Sequence, residues 1–178
     1  SVQLYKDGAA SGDPVSVASG AEHDFTSVIA ATGSGSYTFK VTAIANGTTY
    51  KDSEPSAESP AYAYTAPRIA TPASLAWDGT TPGKAKWSAV NNALRYNVQL
   101  YKDGAALGGA VSVASGTEHD FTSAIAAAGT GGYTFKVTAV ANGITYRDSE
   151  QSAESPAYAY TAYTITASAG GGGSISPS

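Results

Sequence analysis

Residues 1–66 align without a gap on residues 97–162, at a constant offset of 96 positions, and only 13 of the 66 pairs differ. SVQLYKDGAA returns as NVQLYKDGAA, GSYTFKVTAIANG as GGYTFKVTAVANG, and SAESPAYAYTA unchanged. A repeat of this length is too long for solenoid units, which run to about 20–50 residues and bury their cores only against neighbours. It suits one β-sandwich of about 100 residues. The copies are not equivalent. Residues 67–96 lead into the second, and no residues of the sequence correspond to them ahead of the first. The expected organisation is a module at 1–66 lacking its first two strands at the N-terminus, a complete module at 67–162, and a segment at 163–178 that opens a further repeat or serves as a linker.

Composition agrees with strands. Only 13% of residues are charged, and Tyr outnumbers Phe twelve to four. Tyr and Thr favour pleated, half-buried surfaces, while the helix formers Leu, Glu and Lys are scarce. The net charge of −4 comes with ten Lys and Arg spread along the chain, so no basic stripe is present to neutralise a phosphate backbone. No apolar run approaches the roughly 20 residues of a spanning helix. Nucleic acid and membrane insertion are therefore not expected. The absence of Cys removes disulfides, thiolate chemistry and the usual structural zinc sites. The absence of Met means that the sequence does not open at a translation start, so the lack of a signal peptide carries no information.

Within 67–162, short alternating runs are separated by turn signals. Leu75 and Trp77 share a face before Asp78-Gly79. Ala85, Trp87 and Ala89 alternate with Lys84, Lys86 and Ser88. Tyr96, Val98 and Leu100 alternate with Asn97, Gln99 and Tyr101 up to the Lys102-Asp103-Gly104 turn. A weaker strand is expected at AVSVA and a short one at HDFTSAI. YTFKVTAV then points Tyr133, Phe135, Val137 and Ala139 inward, Asn142-Gly143 marks a hairpin, and SPAYAYTA supplies the last strand with Tyr158 and Tyr160 on one face. Seven such strands describe an all-β sandwich of the immunoglobulin-like class.

Trp87 in the second strand, the Tyr96-x-Val98-x-Leu100 third strand and the Tyr133-x-Phe135-x-Val137-x-Ala139 sixth strand together resemble fibronectin type III domains. So does Asp148-Ser149-Glu150-x-Ser152 before the last strand. The stretch ATPASLAWDGTTPGKAKWSAVNNALRYNVQLYKDG is similar to the variant found in tandem on surface proteins of Firmicutes. The resemblance covers 67–162 fully and 1–66 from the third strand onward. It implies an extracellular or cell-surface location, and tyrosine-corner roles for Tyr133 and Tyr37, with their hydroxyls bonded to upstream backbone. The sequence departs from the family before Tyr133, where IAAAGTGG replaces a leucine-proline corner. The tail YTITASAGGGGSISPS resembles the opening hairpin of another repeat type on such proteins, and its Gly and Ser content equally suits a linker.

Candidate chemistry is sparse. His23 and His119 occupy equivalent positions in Glu-His-Asp-Phe, without a second His or Cys nearby, and read as solvated strand residues rather than metal ligands. No Ser-His-Asp grouping has a distinguishing context. Asp52 with Glu54, and Asp148 with Glu150, could share a strand face, but calcium wants six to eight oxygens. They read as solvated charges blunting an edge. Gly170 to Gly173 is no phosphate loop, since no Lys-Ser/Thr follows. Asn46-Gly47-Thr48 fits a glycosylation sequon, but Asn142-Gly143-Ile144 does not, and a turn explains both. No catalytic residue, cofactor or metal is expected. Tyr5, Tyr101, Tyr50 and Tyr146 are the candidate contacts for a partner or cell-surface glycan, because exposed aromatics stack on sugars. Cross-strand pairing with Thr accounts for them equally.

Without counterparts of Leu75, Trp77, Ala85 and Trp87, the first module forgoes on the order of 5–8 kcal/mol, at roughly 1.5–3 kcal/mol per large buried side chain. Whole domains are stable by only about 5–15 kcal/mol. Three readings stay open: the leader exists in the molecule outside these residues, the chain is a partly unfolded proteolytic product, or another chain donates strands. In the third case the tail of one copy would fill the gap in the next, giving a ring or filament through strand exchange. The expected function is a non-catalytic spacer and adhesion module beside neighbouring domains of the same protein. The alternatives are a carbohydrate-binding accessory module of a secreted hydrolase and a filament subunit built by strand complementation.

Overall fold

The structure is a computed structural model that describes residues 1–18 and 20–163. The tail hairpin expected at Tyr163–Ser176 therefore lies outside the described residues, apart from the exposed Tyr163.

Residues 1–66 build one sheet. Strands β1 (Val2–Lys6), β2 (Ala9–Ala10), β3 (Gly35–Val41) and β4 (Tyr62–Tyr64) are ordered β2-β1-β3-β4, all antiparallel, with helix α1 (Thr26–Thr32) between β2 and β3. Residues 67–162 build two. Strands β5 (Ala76–Trp77), β6 (Lys84–Lys86) and β10 (Glu118–Asp120) form a three-stranded sheet in the order β10-β6-β5. Strands β7 (Arg95–Lys102), β8 (Ala105–Ala106), β9 (Val111–Val113), β11 (Gly131–Val140) and β12 (Tyr158–Tyr160) form the other, in the order β12-β11-β7-β8 with β9 also on β7. Because β8 and β9 pair with opposite ends of β7, they act as one interrupted strand. The second repeat is thus the all-β, antiparallel, immunoglobulin-like sandwich expected.

Register places the core where alternation put it. Val98 faces Val137 and Leu100 faces Phe135 across the β7–β11 pair, and all four are fully or almost fully buried. Tyr96, Tyr133, Ala139, Ala85 and Trp87 complete the cluster, with Ile125 and Phe121 entering from the segment before β11. Trp77 meets Phe135 edge-to-face at 4.9 Å, a favoured aromatic geometry, and its indole N–H donates to the Pro156 carbonyl at 2.9 Å. The turn after β7 closes in two residues, Asp103 (φ 50°) and Gly104 (φ 82°), the left-handed pair that matches strand twist.

Three local expectations require correction. The strand expected at HDFTSAI stops at Asp120, and helix α2 (Thr122–Ala128) follows. The Asp120 carboxylate accepts from the Thr122 N–H at 2.8 Å and turns the chain, and the Ala-rich TSAIAAA run then favours a helix that buries Ile125. Ala89 lies beyond the end of β6 and is exposed rather than inward, because the chain leaves the sheet after Trp87.

The return from the Asn142-Gly143 turn is the third correction. No strand resumes until Tyr158; instead Ser149, Ser152 and Ser155 pair with Ala139, Val137 and Phe135 in turn. Each serine N–H donates to the strand carbonyl at 2.9–3.0 Å, and each serine hydroxyl oxygen accepts the strand N–H at 2.9–3.0 Å. Three residues on one side thus oppose two on the other, as in a bulge repeated three times. The hydroxyl supplies the acceptor that the extra residue displaces, so no buried N–H of β11 is orphaned there. Ser53, Ser56 and Ser59 do the same for Ala43, Val41 and Phe39.

Candidate functional site

The four candidate tyrosines do not converge. Tyr5 and Tyr101 lie on the outer sheet face opposite Thr38 and Thr134, half-buried, with Lys40 and Lys136 ammonium groups 5.2 Å from their ring centroids. A cation over the face occupies the surface on which a sugar ring would stack. Tyr146 is half-buried against the core cluster rather than exposed, whereas its counterpart Tyr50 is 72% exposed.

The acidic residues are more than solvated edge charges. Asp148 and Asp52 each accept a backbone N–H at 2.9 Å, from Ala141 and Ala45, and so begin the serine ladder. Glu150 pairs with Arg68 at 3.0 Å. Asn46 accepts from the Thr48 and Thr49 N–H groups at 3.2 Å, which explains the sequon as a turn. His23 and His119 pack edge-on to Phe25 and Phe121 at 4.5 Å. Among the described residues, no three His, Asp or Glu side chains gather as a metal site would require. Among the same residues, no helix is long and apolar enough to cross a membrane.

Tyr133 and Tyr37 hold the corner positions that the family resemblance implied. The buried Tyr133 hydroxyl donates to the Gly129 carbonyl, with the Ile125 carbonyl at 3.3 Å, and Tyr37 repeats this with Gly33 at 2.5 Å and Ile29 at 3.5 Å. The missing leucine-proline corner is replaced by the end of a short helix. The carbonyl of the glycine just past the helix end receives the phenol, while the Ile125 and Ile29 carbonyls also accept the Gly129 and Gly33 N–H groups at 3.0 Å.

Two further features have functional potential, and the first was not read from the sequence. The first is the joint between the repeats. Ala66 is fully buried; its N–H donates to Ser34 Oγ at 2.8 Å, and its carbonyl accepts from Arg147 Nε at 2.7 Å. The Arg147 N–H also donates to Pro67 O at 2.9 Å, and Ile69 N–H to Arg147 O at 3.0 Å. Gly33, at φ 91°, lies so close to the Ile144 carbonyl that an added Cβ would sit 2.7 Å from that oxygen. At the equivalent Gly129 nothing lies within 4 Å. Both contacts join distant parts of the chain, so local patterning carries no sign of them.

The second is the inner face of the first sheet. Phe39 and Val41 are 43% and 42% exposed, where Phe135 and Val137 are fully buried. With Val2, Phe25 and Ile44 they line a groove of about 830 Å³, rimmed by Glu22, His23 and Asp24. The lack of a counterpart to 67–96 foretold an uncovered face, but not its shape.

No family model matches the chain, and no curated protein matches it. Among solved structures it is similar to the crystal structure of chicken CNTN1 FN1-FN3 domains, at a TM-score of 0.40 and 18% identity, over 71% of this chain and 44% of that one.

Proposed function

We propose that the chain is a non-catalytic structural spacer with an adhesive role in a bacterial cell-surface or extracellular protein. The observation that carries this reading is the joint. A connection made to tether two independent modules would be exposed and polar. Here Ala66 is buried and bonded on one side to the first repeat and on the other to the second. Arg147 supports it from the second repeat with a planar, multiply donating side chain, which loses less freedom per bond than an ammonium would. Repeats joined in this way hold a fixed end-to-end distance, which is what a spacer needs. The bacterial surface assignment rests on the resemblance of residues 70–104 to the tandem repeats of such proteins.

The test uses the absence of native cysteine. Spin labels at Asp13→Cys and Gly109→Cys, equivalent exposed positions of the two repeats, report the distance between modules by pulsed electron resonance. One narrow distance distribution is expected. A broad one, of the kind a flexible tether gives, would overturn the spacer reading.

A further inference from the structure

Of the 13 positions that distinguish the two repeats, two fall in the loop by which the second meets the first: Thr48 is matched by Ile144, and Lys51 by Arg147. The remainder of that loop, Asn-Gly-x-Thr-Tyr-x-Asp-Ser, is the same in both copies. Shape does not separate them. It is the backbone carbonyl of Ile144 that closes on Gly33, and a threonine offers the same carbonyl. Nor does the surface that the loop meets. Ser34 Oγ accepts the Ala66 N–H at 2.8 Å, and Thr130 Oγ1 accepts the Ala162 N–H at 2.9 Å, so each repeat ends in an alanine held by a hydroxyl.

The arginine remains. Its Nε–H donates to the Ala66 carbonyl at 2.7 Å, and among the described residues this is the one hydrogen bond that passes from 67–162 to 1–66. Arg68, opposite it in a parallel bridge, bonds within the second repeat, to the Asp148 carbonyl and the Glu150 carboxylate, both at 3.0 Å. That ion pair is exposed on both sides and contributes little.

Lysine puts its nitrogen elsewhere. Counted along the side chain, Lys has the methylene Cε where Arg has Nε, and its ammonium lies one atom further on. The ammonium is also more strongly hydrated, so drawing it to the carbonyl of a fully buried alanine costs more. Gln, in contrast, places its planar amide nitrogen Nε2 as far along the chain as Arg Nε, without the charge.

We propose that Arg147 is the positioning residue of the joint, through the Nε–H that it holds against Ala66, and that Lys51 is not its equivalent. The second repeat is thereby the one fitted to follow, and a single side chain sets the order of two nearly identical modules. The proposal rests on the spacer reading and names the side chain on which the fixed spacing depends.

The test adds Arg147→Lys or Arg147→Gln to the chain labelled at Asp13→Cys and Gly109→Cys. Arg147→Lys should widen the inter-label distance distribution at least about twofold, toward that of a flexible tether. Arg147→Gln should leave it narrow. In both, the amide signals of Val98 and Val137 should stay in place, because the second repeat keeps its fold. A narrow distribution for the lysine variant would overturn the proposal and leave the spacer reading standing. So would a broad one for the glutamine variant, since charge or bulk rather than a donor at this atom would then hold the joint. Displaced Val98 and Val137 signals would assign Arg147 to the module instead of the joint, and the proposal would fail. A broad distribution in the parent chain would overturn both readings.

Discussion

Phe39 and Phe135 stand at the same position of two nearly identical repeats, and one is 43% exposed while the other is completely buried. Their neighbours TFKVTA are the same in both copies. The difference is tertiary: Trp77 lies edge-on to Phe135 at 4.9 Å, and among the described residues no indole reaches Phe39. Burial here is a property of what lies across the sandwich, and the strand itself forms either way.

The tyrosine corner should be worth a measurable part of the second repeat's stability. Tyr133→Phe keeps the packing and leaves the Gly129 carbonyl without its phenol donor, while the Ile125 carbonyl keeps the Gly129 N–H. A loss of about 1–3 kcal/mol is expected, the cost of a buried acceptor left unsatisfied. Urea denaturation checks it. Tyr101→Phe, on the outer face, should change the midpoint little.

The serine ladder makes a comparison possible within one molecule. Ser152→Ala leaves the buried Val137 N–H without an acceptor and should cost about 1–3 kcal/mol. Ser56→Ala removes the same bond at Val41, where water has access, and should cost the first repeat clearly less. Thermal unfolding of the two variants, followed by signals assigned to each repeat, distinguishes them.

At the joint, Gly33→Ala and Gly129→Ala carry a similar backbone penalty, since both glycines have positive φ, 91° and 80°. Only the first also drives a Cβ into the Ile144 carbonyl. Gly33→Ala should therefore broaden the inter-label distance distribution, and Gly129→Ala should leave it narrow while lowering stability.

Asp78 predicts an acid response. The Lys86 ammonium, then the Thr80 hydroxyl and the Thr80 and Thr81 N–H groups, hold its carboxyl well below the usual carboxylate value of about 3.9. A carboxylate whose folded value is depressed contributes stability above the unfolded value and loses it as pH falls toward the folded one. Asp78→Asn should lower stability evenly between pH 6 and 8, and its gap to the parent chain should close progressively below about pH 4. Urea midpoints across that range are the measurement.

Core strands were legible because Tyr96, Val98 and Leu100, and Tyr133, Phe135 and Val137, alternate in a period that admits only one inward face. The corner tyrosines followed from family resemblance, and their acceptors did not, because a helix end had replaced the usual corner. The serine ladder was hidden for a physical reason. Its period of three is neither that of a strand nor that of a helix, and Ser reads as loop wherever its hydroxyl has no visible partner. The joint was hidden because Ala66 and Arg147 are 81 residues apart and their bond runs from a side chain to a carbonyl.

The most direct test of the account is amide hydrogen exchange at Phe39, Val41, Phe135 and Val137 in the one chain. If the leader 67–96 is what completes the sandwich, Phe135 and Val137 will exchange only through global opening of the second repeat. Phe39 and Val41 will then exchange at least about a thousandfold faster. Equal protection at the four positions would contradict it, because the first repeat would then be as stable without the covering strands as the second is with them.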